Sequence, residues 1–331
     1  MVLPFSRLPE LSPNRQALPL VEELLARSEL LRVKVHKQNE VTVIDCGVQV
    51  SGGWEAGILF ASVCLGGLAQ VKLHWADFSG LRWPAVEVVT DHPIQACLAS
   101  QYAGWPIKNG KLLAMGSGPG RAIIHEGSLF ETLGYEDHSN TAILCLESEE
   151  LPTKVVVEYI LGACQCEPAN LYILVAPTAS QVGSVQIAAR ALETGLSKLM
   201  ELGYDLGKIV SGWGLCPVSP VASDKLSALG RTNDAILYGS TVLYNLCDQT
   251  CLDSLIKKVP SCSSKKYGQF FEEVYREYED FYDIDPLLFS PAEVWLCNSN
   301  NGRSYHAGSL RPDILRHSFG LESIIQKDRG P

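Results

Sequence analysis

A strand that runs into a loop of small residues and then into a helix constrains the fold of this chain more than any other segment. The apolar run at Leu171–Ala176 predicts a buried strand, and apolar residues spaced three or four apart predict a helix over Ser184–Leu202. The connecting loop, Pro177–Gly183, contains small and polar residues. This order is typical of open α/β sheets, in which ligands bind where the carboxyl ends of strands meet the start of helices.

Strand and helix patterns alternate along the rest of the chain, which predicts α/β architecture. A chain of 331 residues is long enough for two domains of ordinary size. We place the boundary at the acidic turn Glu147–Pro152, so that an N-terminal α/β domain covers residues 1–150 and a C-terminal α/β domain covers residues 151–331. The C-terminal tail can also pack back on the first domain.

The local pattern assigns a type to each further segment except Lys154–Cys164, which fits a helix or a strand. Asn14 can cap the first predicted helix or end the preceding turn. Strands are predicted at Glu40–Val50, Val71–Trp75, Ala85–Thr90, Lys111–Met115 and Thr141–Leu146, and helices at Leu18–Arg32, Pro93–Ala99, Ala235–Asp248 and Tyr267–Phe281.

Composition excludes several classes of protein. The net charge of −10 argues against a general nucleic-acid binder and against binding to an anionic membrane surface, because both need basic side chains. The N-terminus lacks the pattern of a signal peptide, and the apolar stretch Ala56–Val71 is too interrupted and too short to span a bilayer comfortably. The 11 cysteines and 7 histidines show no metal-site spacing, so we expect reduced thiols, no metal and a cytoplasmic protein.

A polar stripe follows the apolar one along the predicted helix Ser184–Leu202. On one continuous helix, Gln186, Arg190, Glu193 and Ser197 lie on a common face at the edge of the core. Arg190 and Glu193 are three residues apart, so their side chains can meet. Spacing alone also fits a surface ion pair worth about 0–1 kcal/mol. The position after a buried strand favours a site in a cleft wall.

Short motifs then follow one another in a fixed order along nearly the whole chain. Around the predicted helix they read Ala-Pro-Thr-Ala-Ser at 176–180, Val-Gln at 185–186, Ala-Arg at 189–190 and Glu-Thr at 193–194. The others are Gln101–Trp105, Gly116–Pro119 with Arg121, Leu133–Tyr135, Gly230–Gly239 and Ser318-Phe319. Together they resemble the signature of methenyltetrahydromethanopterin cyclohydrolases, although that family usually has alanine where Gly120 stands.

The resemblance implies a fold and an activity. It implies two α/β domains with a substrate cleft between them, a homo-oligomer, specifically a trimer, and no cofactor besides the tetrahydromethanopterin derivative that is the substrate. The implied reaction reversibly interconverts the 5,10-methenyl-tetrahydromethanopterin cation plus water and 5-formyl-tetrahydromethanopterin, in one-carbon metabolism and formaldehyde oxidation. The resemblance also puts an arginine and a glutamate at the reacting centre, and these map onto Arg190 and Glu193.

The chemistry of the implied reaction suits these two residue types. Water attacks the methenyl carbon of a cyclic amidinium, and a carboxylate can take the proton of that water. Arginine stays protonated, so it cannot act as the base. It can hold the carboxylate ionised and oriented, or stabilise negative charge on the formyl oxygen. We therefore assign Glu193 as the base and Arg190 as its orienter. In some members of the family a lysine assists; Tyr102 can occupy that place here, with Lys108 and Lys111 as alternatives.

Ten further residues are candidates for binding the substrate, and each has a structural alternative. Gln101–Trp105 can stack on a pterin or pack in the core, and Gly116–Arg121 can cradle an anion or form a plain turn. Asn233 or Asp234 can accept from the pterin or cap a helix. The candidates are Gln101, Tyr102, Ser117, Arg121, Thr178, Ser180, Gln186, Arg231, Asn233 and Asp234.

A protein that binds a reduced pterin without turnover, as a carrier or sensor, is the alternative function. The presence of both Arg190 and Glu193 argues against it, because a carrier needs no base beside the methenyl carbon. The sequence leaves open the physiological direction and whether the carrier is tetrahydromethanopterin, its dephospho form or a folate.

Overall fold

The computed structural model describes residues 9–109, 112–278 and 283–321. The described residues divide into two compact units, one made of residues 9–71 with 89–109 and 112–186, and the other of residues 72–88 with 187–278 and 283–321. Each contains a six-stranded sheet with helices, so the predicted α/β class with two α/β domains is confirmed. The predicted domain boundary between residues 150 and 151 and the expected cleft stay predictions. The compact units divide the chain at other positions.

In the first unit, three parallel strands form the centre of the sheet. In order across the sheet, the strands are β1 (Lys34–Gln38), β2 (Val41–Asp45), β8 (Leu171–Ala176), β7 (Ala142–Glu147), β6 (Leu112–Ser117) and β5 (Trp105–Asn109). β2, β8 and β7 are parallel neighbours, and β1, β6 and β5 extend the sheet with antiparallel pairs. β7 and β8 are almost wholly apolar and buried because both of their faces are covered.

Helices on the two faces of this sheet account for that burial. One core contains Val21, Phe60 and Leu174, and a second contains Val156, Leu144 and Ile173. The helices of this unit are α1 (Pro13–Ala26), α2 (Ser28–Leu31), α3 (Trp54–Cys64), a π-helix (Ile94–Gln101), α4 (Arg121–Ile124), α5 (Ser128–Leu133), α6 (Lys154–Cys164) and α7 (Gln181–Ala188, whose last two residues begin the second unit).

The sheet of the second unit has the order β12-β11-β10-β9-β4-β3. Its strands are β12 (Arg303–Gly308), β11 (Glu293–Asn298), β10 (Thr241–Leu246), β9 (Ile209–Pro217), β4 (Arg82–Thr90) and β3 (Gln70–Asp77), and its helices are α8 (Ala191–Glu201), α9 (Lys225–Gly239), α10 (Asp253–Ile256), α11 (Phe271–Arg276) and α12 (Pro312–Ser318). Short 3₁₀ turns occur at Pro168–Asn170 in the first unit and at Leu206–Lys208, Ser261–Ser263 and Pro286–Leu288 in the second. In the part of the chain that the structure describes, no helix combines the length and apolarity needed to cross a membrane.

Several predicted elements are wrong in type or extent. The helix expected over Ala235–Asp248 ends at Gly239, and its second half is β10, which pairs with β9 and β11. The first helix begins five residues before Leu18, and Ser12 caps it by accepting from the Arg15 amide, so Asn14 is not the cap. The strand expected to extend to Val50 ends at Asp45, and β5 went unpredicted.

Two other predicted helices differ from the structure. The helix expected over Tyr267–Phe281 is confined to α11 among the described residues, and its last part lies outside them. Lys154–Cys164, which the pattern left open, is the helix α6. The single helix expected over Ser184–Leu202 is two helices, α7 and α8, that meet at Ala189 and Arg190.

Candidate active site

In the first unit, the carboxyl ends of β2, β7 and β8 lie at one edge of the sheet. The register aligns Asp45 with Val175 and Glu147 with Ala176, so each strand of this parallel trio ends beside its neighbour. Chain segments that leave such an edge are where open α/β sheets hold their ligands. The loop that follows β8 carries Thr178 and Ser180, as the sequence predicts.

Asp45 organises the loop after β2. Its carboxylate accepts from the backbone amides of Gly47, Val48 and Gln49 at 2.9, 2.7 and 2.8 Å. The side chain is fully buried, so the three hydrogen bonds compensate for its loss of water. The sequence pattern did not single out Asp45. Its buried side chain shapes the loop at this edge of the sheet.

Ser180 starts α7 through two local hydrogen bonds. Its hydroxyl donates to the Pro177 carbonyl at 2.7 Å and accepts from the Gly183 amide at 2.9 Å. A side chain that bonds to backbone groups in this way fixes the turn from strand to helix. Binding of substrate by Ser180 stays a prediction.

Glu147 joins two of the predicted residues. The Thr178 hydroxyl donates to Glu147 Oε1, and the Gln186 amide donates to Glu147 Oε2 at 3.4 Å. Sequence reasoning read Glu147 only as the start of an acidic turn. The signal that could have found it is its position, because it directly follows the predicted apolar strand Thr141–Leu146 and therefore lies at the carboxyl end.

Gln101, Tyr102 and Arg121 form a second group in the same unit. Gln101 ends the π-helix, and Gln101 and Arg121 are buried. A Cβ built on Gly104 would lie 2.5 Å from a ring carbon of Tyr102 and 3.2 Å from Arg121 Nη2, so both side chains border that glycine. The Arg121 guanidinium carbon lies 5.2 Å from the centre of the Phe130 ring, a cation–π distance.

Ser117 lies inside the sheet. Its hydroxyl donates to the Cys145 carbonyl at 3.1 Å and lies 3.3 Å from Cys64 Sγ. Because β6 runs antiparallel to β7, Ser117 pairs with Cys145, two residues before the carboxyl end of β7. Of the lysine alternatives, Lys108 lies in β5 and Lys111 lies outside the described residues.

In the second unit, Arg190 and Glu193 form a buried pair at the start of α8. Arg190 precedes the first residue of α8, and its amide donates to the Ile187 carbonyl at 2.9 Å. Arg190 Nη1 and Glu193 Oε2 are 3.8 Å apart, and each residue is 8% exposed. The interpretation as a surface ion pair is therefore wrong. The break before Arg190 also means that Gln186 does not share one helix face with Glu193.

Two neighbours act on the protonation of Glu193. Burial raises the pKa of its carboxyl above the usual range, while the Arg190 charge and a hydrogen bond from Ser197 lower it. The Ser197 hydroxyl donates to Glu193 Oε1 at 2.8 Å. A carboxylate with a raised pKa, a fixed orientation and a cationic neighbour can accept a proton from water.

Arg231, Asn233 and Asp234 lie inside α9 rather than at its start. The cap is Asp224, which accepts from the Ser227 amide, so capping by Asn233 or Asp234 is wrong. The Asn233 amide donates to the Leu229 carbonyl one turn earlier at 2.9 Å. Arg231 is partly exposed on the same helix.

Asp234 is held by protein donors on both oxygens. Ser318 Oγ donates to Oδ2 at 2.7 Å, and the Phe271 amide donates to Oδ1 at 2.9 Å. Burial raises the pKa of this carboxyl to about 7, although both hydrogen bonds act in the opposite direction. Among the residues that the structure describes, no three His, Cys, Asp or Glu side chains gather in a metal-binding arrangement.

Comparison with known proteins identifies the relatives of this chain. Residues 12–319 match the family model described as Cyclohydrolase (MCH). The methenyltetrahydromethanopterin cyclohydrolase of Methanosarcina barkeri is 42% identical over 320 residues, which cover 95% of this chain and 100% of the relative. Those of Methanococcoides burtonii and Methanocaldococcus jannaschii are 40% identical over 319 residues and 42% identical over 322 residues, with the same coverage.

Proposed function

The chain belongs to the methenyltetrahydromethanopterin cyclohydrolase family, and from this membership we propose that Glu193 and Arg190 are its reacting pair. The protein is a hydrolase that acts on C–N bonds of a cyclic amidine. It interconverts 5,10-methenyl-tetrahydromethanopterin plus water and 5-formyl-tetrahydromethanopterin in one-carbon metabolism. The observation that carries the assignment of the pair is the buried contact between Arg190 and Glu193, completed by the hydroxyl of Ser197.

Glu193 acts as the general base. In the forward direction the oxygen of water bonds to the methenyl carbon, the carboxylate takes one proton from that water, and the amidinium charge is neutralised. The remaining hydroxyl proton then moves to one ring nitrogen as its C–N bond breaks, which leaves the formyl group on the other. One proton is released in total. Such base catalysis contributes about 10²- to 10⁴-fold in rate.

Arg190 keeps the base ionised and aimed. Its charge lowers the pKa that burial raises, and its Nη1 lies 3.8 Å from Glu193 Oε2 while Ser197 donates to Oε1. Because guanidinium does not lose its proton at neutral pH, Arg190 does not compete for the base role. In this proposal Glu193 accepts the proton and Arg190 orients Glu193.

The substrate-binding residues are proposed in two sets. Thr178, Ser180 and Gln186 belong to the carboxyl edge of the first sheet, supported by the loop geometry after β8. The aromatic ring of Tyr102 can stack on a pterin. The other proposed contacts are Gln101, Ser117 and Arg121 in the first unit and Arg231, Asn233 and Asp234 in α9.

The test replaces the base without changing its size. Glu193→Gln should keep the fold and lose about 10²-fold or more in kcat, because the amide cannot accept the proton. The assay follows the absorbance of the methenyl chromophore after protein is added, with methenyl-tetrahydromethanopterin and with methenyl-tetrahydrofolate. The matched control is Glu201→Gln on the exposed end of the same helix, which should retain wild-type rates.

Each outcome of this assay has a distinct meaning. Rates near wild type in Glu193→Gln contradict the assignment of the base. A stable bound spectrum with the wild-type protein instead indicates a carrier. The comparison of the two substrates identifies the pterin carrier that the enzyme uses.

Three wider statements are also proposals. The family resemblance supports a homotrimer that works without a metal or redox cofactor. A cytoplasmic location is the second, because the 11 cysteines are odd in number and scattered, as is usual for thiols in a reducing compartment. A role in formaldehyde oxidation is the physiological context that the resemblance suggests.

A further inference from the structure

Glu147 has a position and a set of partners that the reaction at Glu193 does not use. It is the last residue of β7, at the carboxyl edge of the parallel strands. Its side chain is partly buried, and its two oxygens accept from Thr178 and Gln186, which lie 31 and 39 residues further along the chain. The loop after β8 and the helix α7 therefore both donate to this carboxylate.

The carboxylate of Glu147 retains capacity to bind a ligand. An ionised carboxylate offers about four lone-pair sites, and the described protein donors occupy two of them, one on each oxygen. The two donors also fix the plane of the group, so that less conformational freedom is lost when a ligand binds.

The pterin ring presents the donor pattern that suits such a group. Its 2-amino-4-oxo edge carries a ring N–H next to an amino group, which are two parallel donors. A carboxylate accepts both at once, and these charge-assisted bonds are about twice as strong as neutral ones. We propose that Glu147 binds the 2-amino-4-oxo edge of the substrate and sets specificity for a pterin; the inference rests on the proposed function.

Three other carboxylates, including that of the proposed substrate contact Asp234, are less exposed than Glu147 and also accept from protein donors. Asp45 accepts from three backbone amides and is fully buried. Asp234 accepts from Ser318 and Phe271 and is 1% exposed. Asp137 holds Ser12 and Asn14. Glu147 combines partial exposure with a position at the ligand-binding edge, which these three lack.

The experiment separates binding from chemistry with Glu147→Gln. The glutamine side chain has the same size but presents an amide N–H₂ to the pterin donors. KM for methenyl-tetrahydromethanopterin should rise about 10- to 100-fold, while kcat falls much less than KM rises. The matched control, Glu150→Gln, changes an exposed acid three residues away and should keep the wild-type KM.

A second readout tests the assigned contact itself. Competitive inhibition is measured with a reduced pterin and with the corresponding lumazine, in which oxygen replaces the 2-amino group. Wild-type protein should prefer the pterin about tenfold or more, and Glu147→Gln should lose that preference, since the site no longer accepts two donors. A residue with a merely structural role would weaken both inhibitors equally.

The outcomes distinguish this proposal from the cyclohydrolase assignment. If wild-type protein does not consume the methenyl chromophore, the proposed function fails. If it does, and Glu147→Gln keeps the wild-type KM and preference, the role of Glu147 is overturned. Loss of the preference in Asp234→Asn but not in Glu147→Gln overturns it as well.

Thr178→Val provides a second variant in case Glu147→Gln does not fold. It removes the hydroxyl that holds Glu147 Oε1 and leaves the carboxylate in place. KM should rise about threefold to tenfold with a reduced preference for the pterin over the lumazine. An unchanged preference in a folded Thr178→Val protein overturns the proposal.

Discussion

Glu193 is a carboxyl group on which burial and its neighbours act in opposite directions. Burial raises its pKa, and the Arg190 charge and the Ser197 hydroxyl lower it, with burial dominant. A general base works only when it is ionised, so the rate falls as pH drops through the pKa of Glu193 in the folded protein. Removal of the Arg190 charge or of the Ser197 hydroxyl should raise the pKa of Glu193 further, so the loss of rate should begin at a higher pH.

Ser197→Ala tests that relation with a small change. The variant loses the hydrogen bond to Glu193 Oε1, so the pKa rises further and the acid limb of kcat/KM moves to higher pH. At high pH, where both proteins hold an ionised base, their rates should converge to within about threefold. The measurement is a pH–rate profile for both proteins.

The matched control for this prediction is Thr194→Val. Its hydroxyl donates to the Arg190 carbonyl at 2.8 Å, so the variant removes a helix hydroxyl without touching the carboxylate. The acid limb of the control should coincide with that of wild type. An identical limb in Ser197→Ala would show that the serine does not act on the base.

The sequence was sufficient to predict the contact between Arg190 and Glu193, but it did not reveal the partners of Glu147. The first two are three residues apart, and helical geometry brings such residues together. Glu147 acquires its role from Thr178 and Gln186, which reach it only once β7 and β8 are paired. Local pattern carries no information about which distant strand becomes a neighbour.

Among the elements, the junction of α7 and α8 is the clearest case of local pattern giving a wrong result. Neither Ala189 nor Arg190 is a helix breaker, and apolar spacing continues through them, so one helix was predicted. In the structure the Arg190 amide donates to the Ile187 carbonyl three residues back, and α8 packs against β9 and β10. Tertiary packing overrides propensity here.

Close packing of α8 on β10 depends on Gly195. A Cβ built there would lie 2.2 Å from the Tyr244 hydroxyl oxygen and 3.2 Å from Pro291 Cγ. Tyr244 is itself fixed, since its hydroxyl donates to the Leu192 carbonyl at 2.7 Å. Gly195→Ala should therefore lower the free energy of unfolding by about 1–3 kcal/mol, measured by urea denaturation.

Two further variants identify the cause of that loss. Gly162→Ala in α6 adds a methyl group that meets nothing within 4 Å beyond its chain neighbours and the backbone of its own helix, so it should raise stability by about 0.5–1 kcal/mol. Combining Gly195→Ala with Tyr244→Phe removes the clashing oxygen, and the double variant should cost less than the sum of the two single ones. Strict additivity would contradict the proposed contact.

At the scale of the whole molecule, the sequence pattern predicted the class of fold but not its topology. Alternating strands and helices predict α/β architecture. They do not predict that Lys72–Val88, early in the chain, belongs with the second sheet. Trp83 Nε1 donates to the Val218 carbonyl 135 residues later, and such pairing depends on complementary surfaces that exist only after both segments fold.

The dependence of stability on pH combines two carboxyls with opposite shifts. Burial raises the pKa of Asp234 from an ordinary value of 3.8 to about 7. Between those values the folded state holds a proton that the unfolded chain has lost, so stability falls as pH rises. For Asp248, burial is outweighed by hydrogen bonds from Thr250, Lys208 and Tyr204, which lower its pKa to about 2. Its contribution is present above its ordinary pKa and is lost as pH falls towards 2.

Asp234→Asn should remove the fall in stability with rising pH that the raised pKa of Asp234 causes. Asparagine resembles the protonated acid in size and charge, so the variant should lack the loss of stability, up to about 4 kcal/mol, that Asp234 causes between pH 4 and 7. The net charge of −10 adds a general decline with pH in both proteins, so the difference between their curves isolates Asp234. Urea denaturation across this range measures it, with Asp91→Asn, an exposed acid, as control. Parallel curves for wild type and Asp234→Asn would mean that Asp234 is ionised in the folded protein, and the stability maximum would then be set by the other carboxyls.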